Sequence, residues 1–173
     1  MSINWEGIAV ALDSIQPSGT HGWIESGGAE IGRRALAHIL TEHELENAVE
    51  WYLEFRPGCE VARSVLNLLS SDYVMDRCYE IARTDGSTVR WRSAVELLRG
   101  FATARTLPWV ATFLADQDPD VQTWGASLLD QLVFRRAVEP DEAEPYIAAA
   151  EAHPNPSVKR TAALIRDFVL TSD

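Results

Sequence analysis

Residues 116–132 read DQDPDVQTWGASLLDQL: three aspartates at alternate positions, a proline, then an apolar pattern of helical spacing. Two readings compete. As a metal loop, Asp116, Asp118 and Asp120 would take positions one, three and five of a calcium-binding turn, which also needs glycine at the sixth position and a bidentate glutamate at the twelfth. Those places are held by Val121 and Ser127, so the cation reading fails on its own requirements. As the start of a helix, Asp118 is the N-cap, Pro119 the first helical residue and Asp120 a favourable charge near the positive helix end. This reading puts Val121, Trp124, Gly125, Leu128 and Leu132 on one buried face, and no metal site is expected.

The same pattern recurs on either side. GAEIGRRALAHIL, GCEVARSVLNLL, VRWRSAVELL, DVQTWGASLL and SVKRTAALI each open on an apolar or β-branched residue, carry a small or apolar residue near the fourth place and close on an aliphatic pair. The pairs begin at Ile39, Leu68, Leu97, Leu128 and Leu164, at intervals of 29, 29, 31 and 36 residues. That spacing lies in the range of stacked helix-pair repeats. Second helices are expected between them, over residues 44–55, 73–83, 106–114 and 141–152. Their inward faces would be Leu45, Ala48, Val49 and Tyr52; Val74, Cys78, Ile81 and Ala82; and Leu107, Val110, Ala111 and Leu114. Pro57, Pro119, Pro140, Pro154 and Pro156 punctuate the series at helix starts or between helices. Residues 3–15 predict one further helix and residues 17–28 a glycine-rich loop. No segment alternates as a strand does, so the expected class is all-α.

DPDVQTWGASLLDQL and NPSVKRTAALIRDF, with an Asp-Pro or Asn-Pro start, Val121 or Val158 on the first turn and an aliphatic close, resemble the short bacterial HEAT repeats over residues 28–170. The resemblance implies a right-handed α-solenoid of about five stacked hairpins in one domain over 1–173, with 1–27 as an N-terminal helix and loop and 28–173 as repeats. The basic residue that often follows the opening valine is Gln122 here, although Lys159 holds that place in the last repeat. The basic ladder of the family's nucleic-acid binders is therefore not supported.

Composition narrows the role. The formal charge is −11, from 15 basic and 26 acidic residues. With no excess cation to displace counterions, a nucleic-acid partner is not expected, and basic protein partners are favoured. No apolar run approaches the roughly 18 residues of a membrane span, and the N-terminus has no basic leader region, so neither a membrane partner nor a secretory signal is expected and the expected compartment is the cytoplasm. Cys59 and Cys78 lack the spacing of metal ligands and read as small apolar residues. His38 and His43 are five residues apart rather than four, His21 sits in GTHG and His153 in the turn HPNP. No nucleophile–base arrangement emerges, so no catalytic residue and no cofactor are expected.

The candidate site is a binding surface. On the second helix of the first repeat, Glu44, Asn47, Trp51 and Glu54 lie opposite the apolar face, and on the next, Asp72, Asp76 and Glu80 form a similar row. With Glu46, Glu50 and the exposed-edge Trp109, which pairs with Phe113 at i, i+4, they would make an acidic, helix-lined face with aromatic anchors. A solvated face, a Trp51 packed on its neighbouring loop and a Trp109 closing the gap between repeats are the alternatives. By its resemblance to small acidic HEAT-like immunity proteins, the chain is expected to neutralise a basic, nuclease-like toxin domain. A scaffold or regulatory adaptor, like the HEAT-like subunits of pigment-attachment lyases, is the alternative.

Overall fold

The structure is a computed structural model, and it describes residues 4–18, 22–25, 29–84 and 86–171. In chain order the elements are α1 (Trp5–Ala11), β1 (Ile15–Ser18), β2 (Gly22–Glu25), α2 (Ala29–Ile39), α3 (Glu42–Leu53), α4 (Cys59–Leu69), α5 (Asp72–Thr84), α6 (Thr88–Arg99), a 3₁₀ turn (Ala104–Thr106), α7 (Trp109–Leu114), α8 (Pro119–Phe134), α9 (Pro140–Ala152) and α10 (Pro156–Thr171). Among the described residues the regular structure is helical apart from one short antiparallel hairpin, with Ile15 opposite Glu25 and Ser18 opposite Gly22. That hairpin corrects the expectation of a loop over 17–28; four-residue strands are too short for alternation to stand out. No helix among the described residues is long and apolar enough to cross a membrane.

Even-numbered and odd-numbered helices form two rows. In the first, α2 packs on α4, α6 on α8 and α8 on α10; in the second, α3 packs on α5 and α7 on α9. Between the rows, α3 packs with α4, α5 with α6, α7 with α8 and α9 with α10. All five recurring sequence patterns are the first-row helices. Each of the pairs between the rows joins a second-row helix to the first-row helix that follows it, and the first-row contacts of α6 with α8 and α8 with α10 are as extensive. The core runs between the rows and is closed by Leu66, Leu97, Leu98, Phe101, Phe113, Leu128, Leu129, Leu132, Ile147 and Ile165, all fully buried. Ala111, expected on the inner face of α7, is exposed, and Phe113 takes the buried place instead. Trp91 and Trp124, expected in the core, are half-buried at its edge.

Asp118 caps α8 as its position demands. Its Oδ1 accepts from the backbone N–H of Asp120 at 2.8 Å and of Val121 at 3.3 Å, and Pro119 is the first helical residue. The same carboxylate is held in a fork by Arg92 of α6, Nη2 to Oδ2 at 2.8 Å and Nε to Oδ1 at 3.2 Å, while Arg92 Nη1 lies 3.1 Å from Asp120. At the start of α10, Asn155 Oδ1 accepts from Ser157 N–H at 2.9 Å, and its amide donates to the Pro119 carbonyl at 2.9 Å and to Gln122 Oε1 at 3.0 Å. Gln122 donates in turn to the Asp116 carbonyl at 2.7 Å. The N-terminal ends of α8 and α10 are thus tied to each other, and α8 is tied back to α6.

α1, α3 and α8 stop without glycine. Asp13, Phe55 and Arg136 adopt left-handed backbone, with φ of 52°, 52° and 53°. The residue after each donates back five places, Ser14 to Ala9 at 2.9 Å, Arg56 to Trp51 at 3.3 Å and Ala137 to Leu132 at 2.9 Å. The first helix accordingly ends at Ala11 rather than at residue 15, and α3 starts earlier than expected, at Glu42, after a Thr41–Glu44 capping box.

A Cβ on Gly125 of α8 would sit 2.5 Å from Phe113 Cβ of α7, so Gly125→Ala should lower the unfolding free energy by about 1–3 kcal/mol through overpacking; urea denaturation checks this, and an unchanged midpoint would contradict the close approach. The hydrogen bond from Arg92, helped by the N–H groups of Asp120 and Val121, holds the Asp118 carboxyl below its usual range. A depressed carboxyl contributes stability that is complete above its unfolded value, about 3.9, and is lost as pH falls through the folded one. Asp118→Asn keeps an N-cap but cannot titrate, so its stability should decline less steeply than that of the parent chain below about pH 4. Equal slopes in pH-dependent denaturation would refute the assignment.

Candidate functional site

The residues of the expected binding surface fall on the second row, and the structure brings most of them together. Glu46 and Glu50 on α3 face Arg77 on α5, at 3.2 Å and 3.6 Å, and Arg77 also lies 3.7 Å from Glu80. Arg90 of α6 reaches across to Glu50 at 2.7 Å. Arg105, just before α7, holds Asp76 at 2.8 Å and lies 3.6 Å from Asp72. Glu54, past the end of α3, pairs with Arg56. The carboxylates expected to meet a partner's cations are thus each in contact with an arginine of this chain. Glu44, placed in the outward row by spacing, instead closes the α3 capping box, which holds its carboxyl below the usual range.

Such pairs are worth about 0–1 kcal/mol each at a surface, so their effect is mainly geometric. They fix α3, α5, α6 and the start of α7 in one register and leave the carboxylates partly exposed. Arg77, Arg90 and Arg105 were not anticipated. Arg77 sits three residues before Glu80, the one local signal; Arg90 and Arg105 come from distant segments and no sequence spacing announces them.

The two tryptophans are also engaged from within. Trp51 is half-buried; its Nε1–H donates to the Pro57 carbonyl at 2.9 Å and the Arg56 guanidinium lies 4.8 Å from its ring. It packs on its own loop and is not a free anchor. Trp109 stacks on Tyr79 of α5, ring centroids 4.3 Å apart and planes 10° from parallel, with Phe113 edge-on to Tyr79 below. Arg83 and Arg105 stand 5.3 Å and 5.4 Å from the Tyr79 and Trp109 rings. This stack joins α5 to α7, the gap-closing role that the spacing left open.

Beyond the stack the second row changes character. Ala111, Leu114 and Ala115 of α7 and Pro145, Tyr146 and Ala149 of α9 line an uncharged open groove of about 620 Å³. His153 lies at its floor: its Nδ1 accepts from Asn155 N–H at 3.1 Å, so Nε2 carries the proton and donates to the Leu114 carbonyl at 2.9 Å. The expected turn histidine therefore ties the end of α9 to α7.

Among the described residues no group of three or more His, Cys, Asp or Glu side chains could hold a metal ion. Cys78 is fully buried and burial pushes its thiol far up, away from nucleophilic character. His38 and His43 resolve no shared site, and His21 lies outside the described residues.

Comparison with family models, with curated proteins and with solved structures finds no match to this chain.

If the stack holds α5 to α7 as described, Trp109→Ala should cost about 2 kcal/mol, from lost stacking and packing together, with far-ultraviolet dichroism unchanged. Thermal unfolding would show it, and a loss below about 0.5 kcal/mol would place Trp109 outside the framework.

Proposed function

We propose that this protein is a non-catalytic binding module, a HEAT-like α-solenoid whose second-row face takes a basic protein partner. The observation that carries the proposal is the division of charge between the rows. α3 has four carboxylates and no Lys or Arg, α5 three against two arginines, α7 no charge and α9 four carboxylates with no Lys or Arg, so the second row holds eleven acidic residues and two basic ones. The first-row helices hold six acidic and nine basic residues. A net charge of −11 spread evenly would serve solubility alone; concentrated on one row it gives a directional field that steers a cationic partner and speeds its docking.

The role we assign is that of an immunity protein, which neutralises a basic, nuclease-like toxin domain by covering its nucleic-acid surface, with carboxylates standing where phosphates would lie. Arg77, Arg90 and Arg105 keep those carboxylates fixed, and a preorganised surface loses less side-chain entropy on binding. Asp72 and Glu80, 75% and 64% exposed, are the carboxylates best placed to meet a partner. The adaptor reading draws on a different feature, the uncharged α7–α9 groove, which suits an apolar guest.

Co-expression with the product of the neighbouring gene, followed by pull-down and a nuclease assay, tests the proposal. The expected result is a complex that silences the nuclease and that Asp72→Lys with Glu80→Lys weakens at least tenfold, more so at low salt. Both positions are exposed, so the fold should survive the change. A complex of unaltered affinity and salt dependence would remove the acidic face from the account.

A further inference from the structure

A second surface lies on the opposite row. Among the described residues of α2 to α10 the exposed large hydrophobic side chains on helices sit on the first row, Leu36, Val61, Val65, Leu68, Val89, Phe134, Leu164 and Leu170, and one more, Phe55, lies in the turn after α3. Four of them, Leu36, Val61, Val65 and Leu68, lie on α2 and α4. Val61, Val65 and Leu68 follow one another at i, i+4 and i+7 along the outer side of α4, 68%, 39% and 48% exposed. Leu68 and Leu36 then wall a concave apolar site of about 440 Å³, completed by Trp5 of α1 and by Gly32, Ala35 and Ile39 of α2. Contiguous exposed apolar surface of this kind marks contact sites, whereas single exposed side chains do not.

Gly32 gives an independent indication. A Cβ added there meets nothing within 4 Å, yet glycine inside a helix is less stable than alanine by about 0.5–1 kcal/mol. Gly125 has Phe113 to account for it; Gly32 has no such neighbour among the described residues. Its missing side chain deepens the floor of the site.

The rim has a net positive balance, two arginines against one glutamate, among the described residues. Among the described residues Arg33 is the one charged side chain lining the apolar site, and Arg34 lines an adjoining pocket together with Glu30, Arg33, Leu68 and Ser70. Arg33 pairs with Glu30 at 2.7 Å, while Arg34 has no ion-pair partner among the described residues. We infer that the α2–α4 face is a docking groove for an amphipathic helix of a partner protein, one that presents apolar residues at i, i+4 and i+7 and acidic residues beside them. A second copy of this chain fits less well, because a two-fold contact through the groove brings Arg33 and Arg34 toward their own equivalents. An anionic bilayer fits less well too, since the site is concave and the whole molecule carries −11.

The inference is independent of the second-row reading, and its test uses the full chain. Helical peptides are selected from a displayed random library, and the winners are measured by fluorescence anisotropy. The expected winners carry an i, i+4, i+7 apolar ridge with Asp or Glu flanks. Leu68→Glu and Gly32→Leu should each weaken them at least tenfold, Arg34→Glu several-fold, and the second-row change Asp72→Lys should leave them unaffected. Dichroism of each variant confirms that the helices persist. Winners that are basic, or that ignore Leu68→Glu, would overturn the proposal. So would a dimer in sedimentation that Leu68→Glu dissolves, or binding to vesicles with 30% anionic lipid that the same change abolishes, since these assign the groove to a second copy or to a membrane.

Discussion

The arrangement of this protein depends on one polar interlock at the helix N-termini. A helix leaves its first N–H groups without internal partners, and a side chain must satisfy them. Asp118 does so for α8, and Arg92 of α6 then grips the same carboxylate, so a local cap becomes a bond between helices. Asn155 repeats the device for α10 and passes it back through Pro119 and Gln122. A hydrophobic core alone would let such helices slide along one another, because apolar contact is non-directional. Directional bonds at the loop ends remove that freedom, and the buried ladder from Leu97 to Ile165 packs in a single register as a result.

Once the register is set, the outward faces acquire definite neighbours. Carboxylates of α3 meet Arg77 and Arg90, and Trp109 meets Tyr79, because α3, α5, α6 and α7 are held at fixed offsets. The rows diverge in chemistry. The second presents fixed carboxylates, a sealed aromatic–arginine stack and an uncharged groove; the first presents apolar side chains with arginines near them. The binding roles proposed above rest on this division of chemistry between the rows.

Most of the helical framework was legible in the sequence because its cause is periodic. The closing aliphatic pairs from Ile39 to Leu164 marked the first-row helices, and Asp118-Pro119 marked a helix start whose side chain behaves as its type requires. What was not legible has non-periodic causes. Phe55 and Arg136 end their helices in left-handed backbone without the glycine that would have announced it. The hairpin over 15–25 is too short to show alternation. At the candidate site the carboxylates could be placed on the correct row, but their partners could not: Arg90 is 40 residues from Glu50 and Arg105 is 29 from Asp76. Helical spacing left Trp51 open between a solvent-facing anchor and a residue packed on its neighbouring loop, and the bond to the Pro57 carbonyl decides for the loop.

The central claim, that the N-terminal interlock is a structural joint rather than a decorated loop, is tested most directly by native-state hydrogen exchange. The amides of Asp118, Asp120, Asn155 and Ser157 lie in or beside loops and would ordinarily exchange through local fraying. If the interlock carries the register, these four should be protected to nearly the same free energy as core amides of α8 such as Leu128 and Leu129. Rapid exchange at Asp120 and Ser157 while Leu128 stays protected would show that the helices hold their register without it.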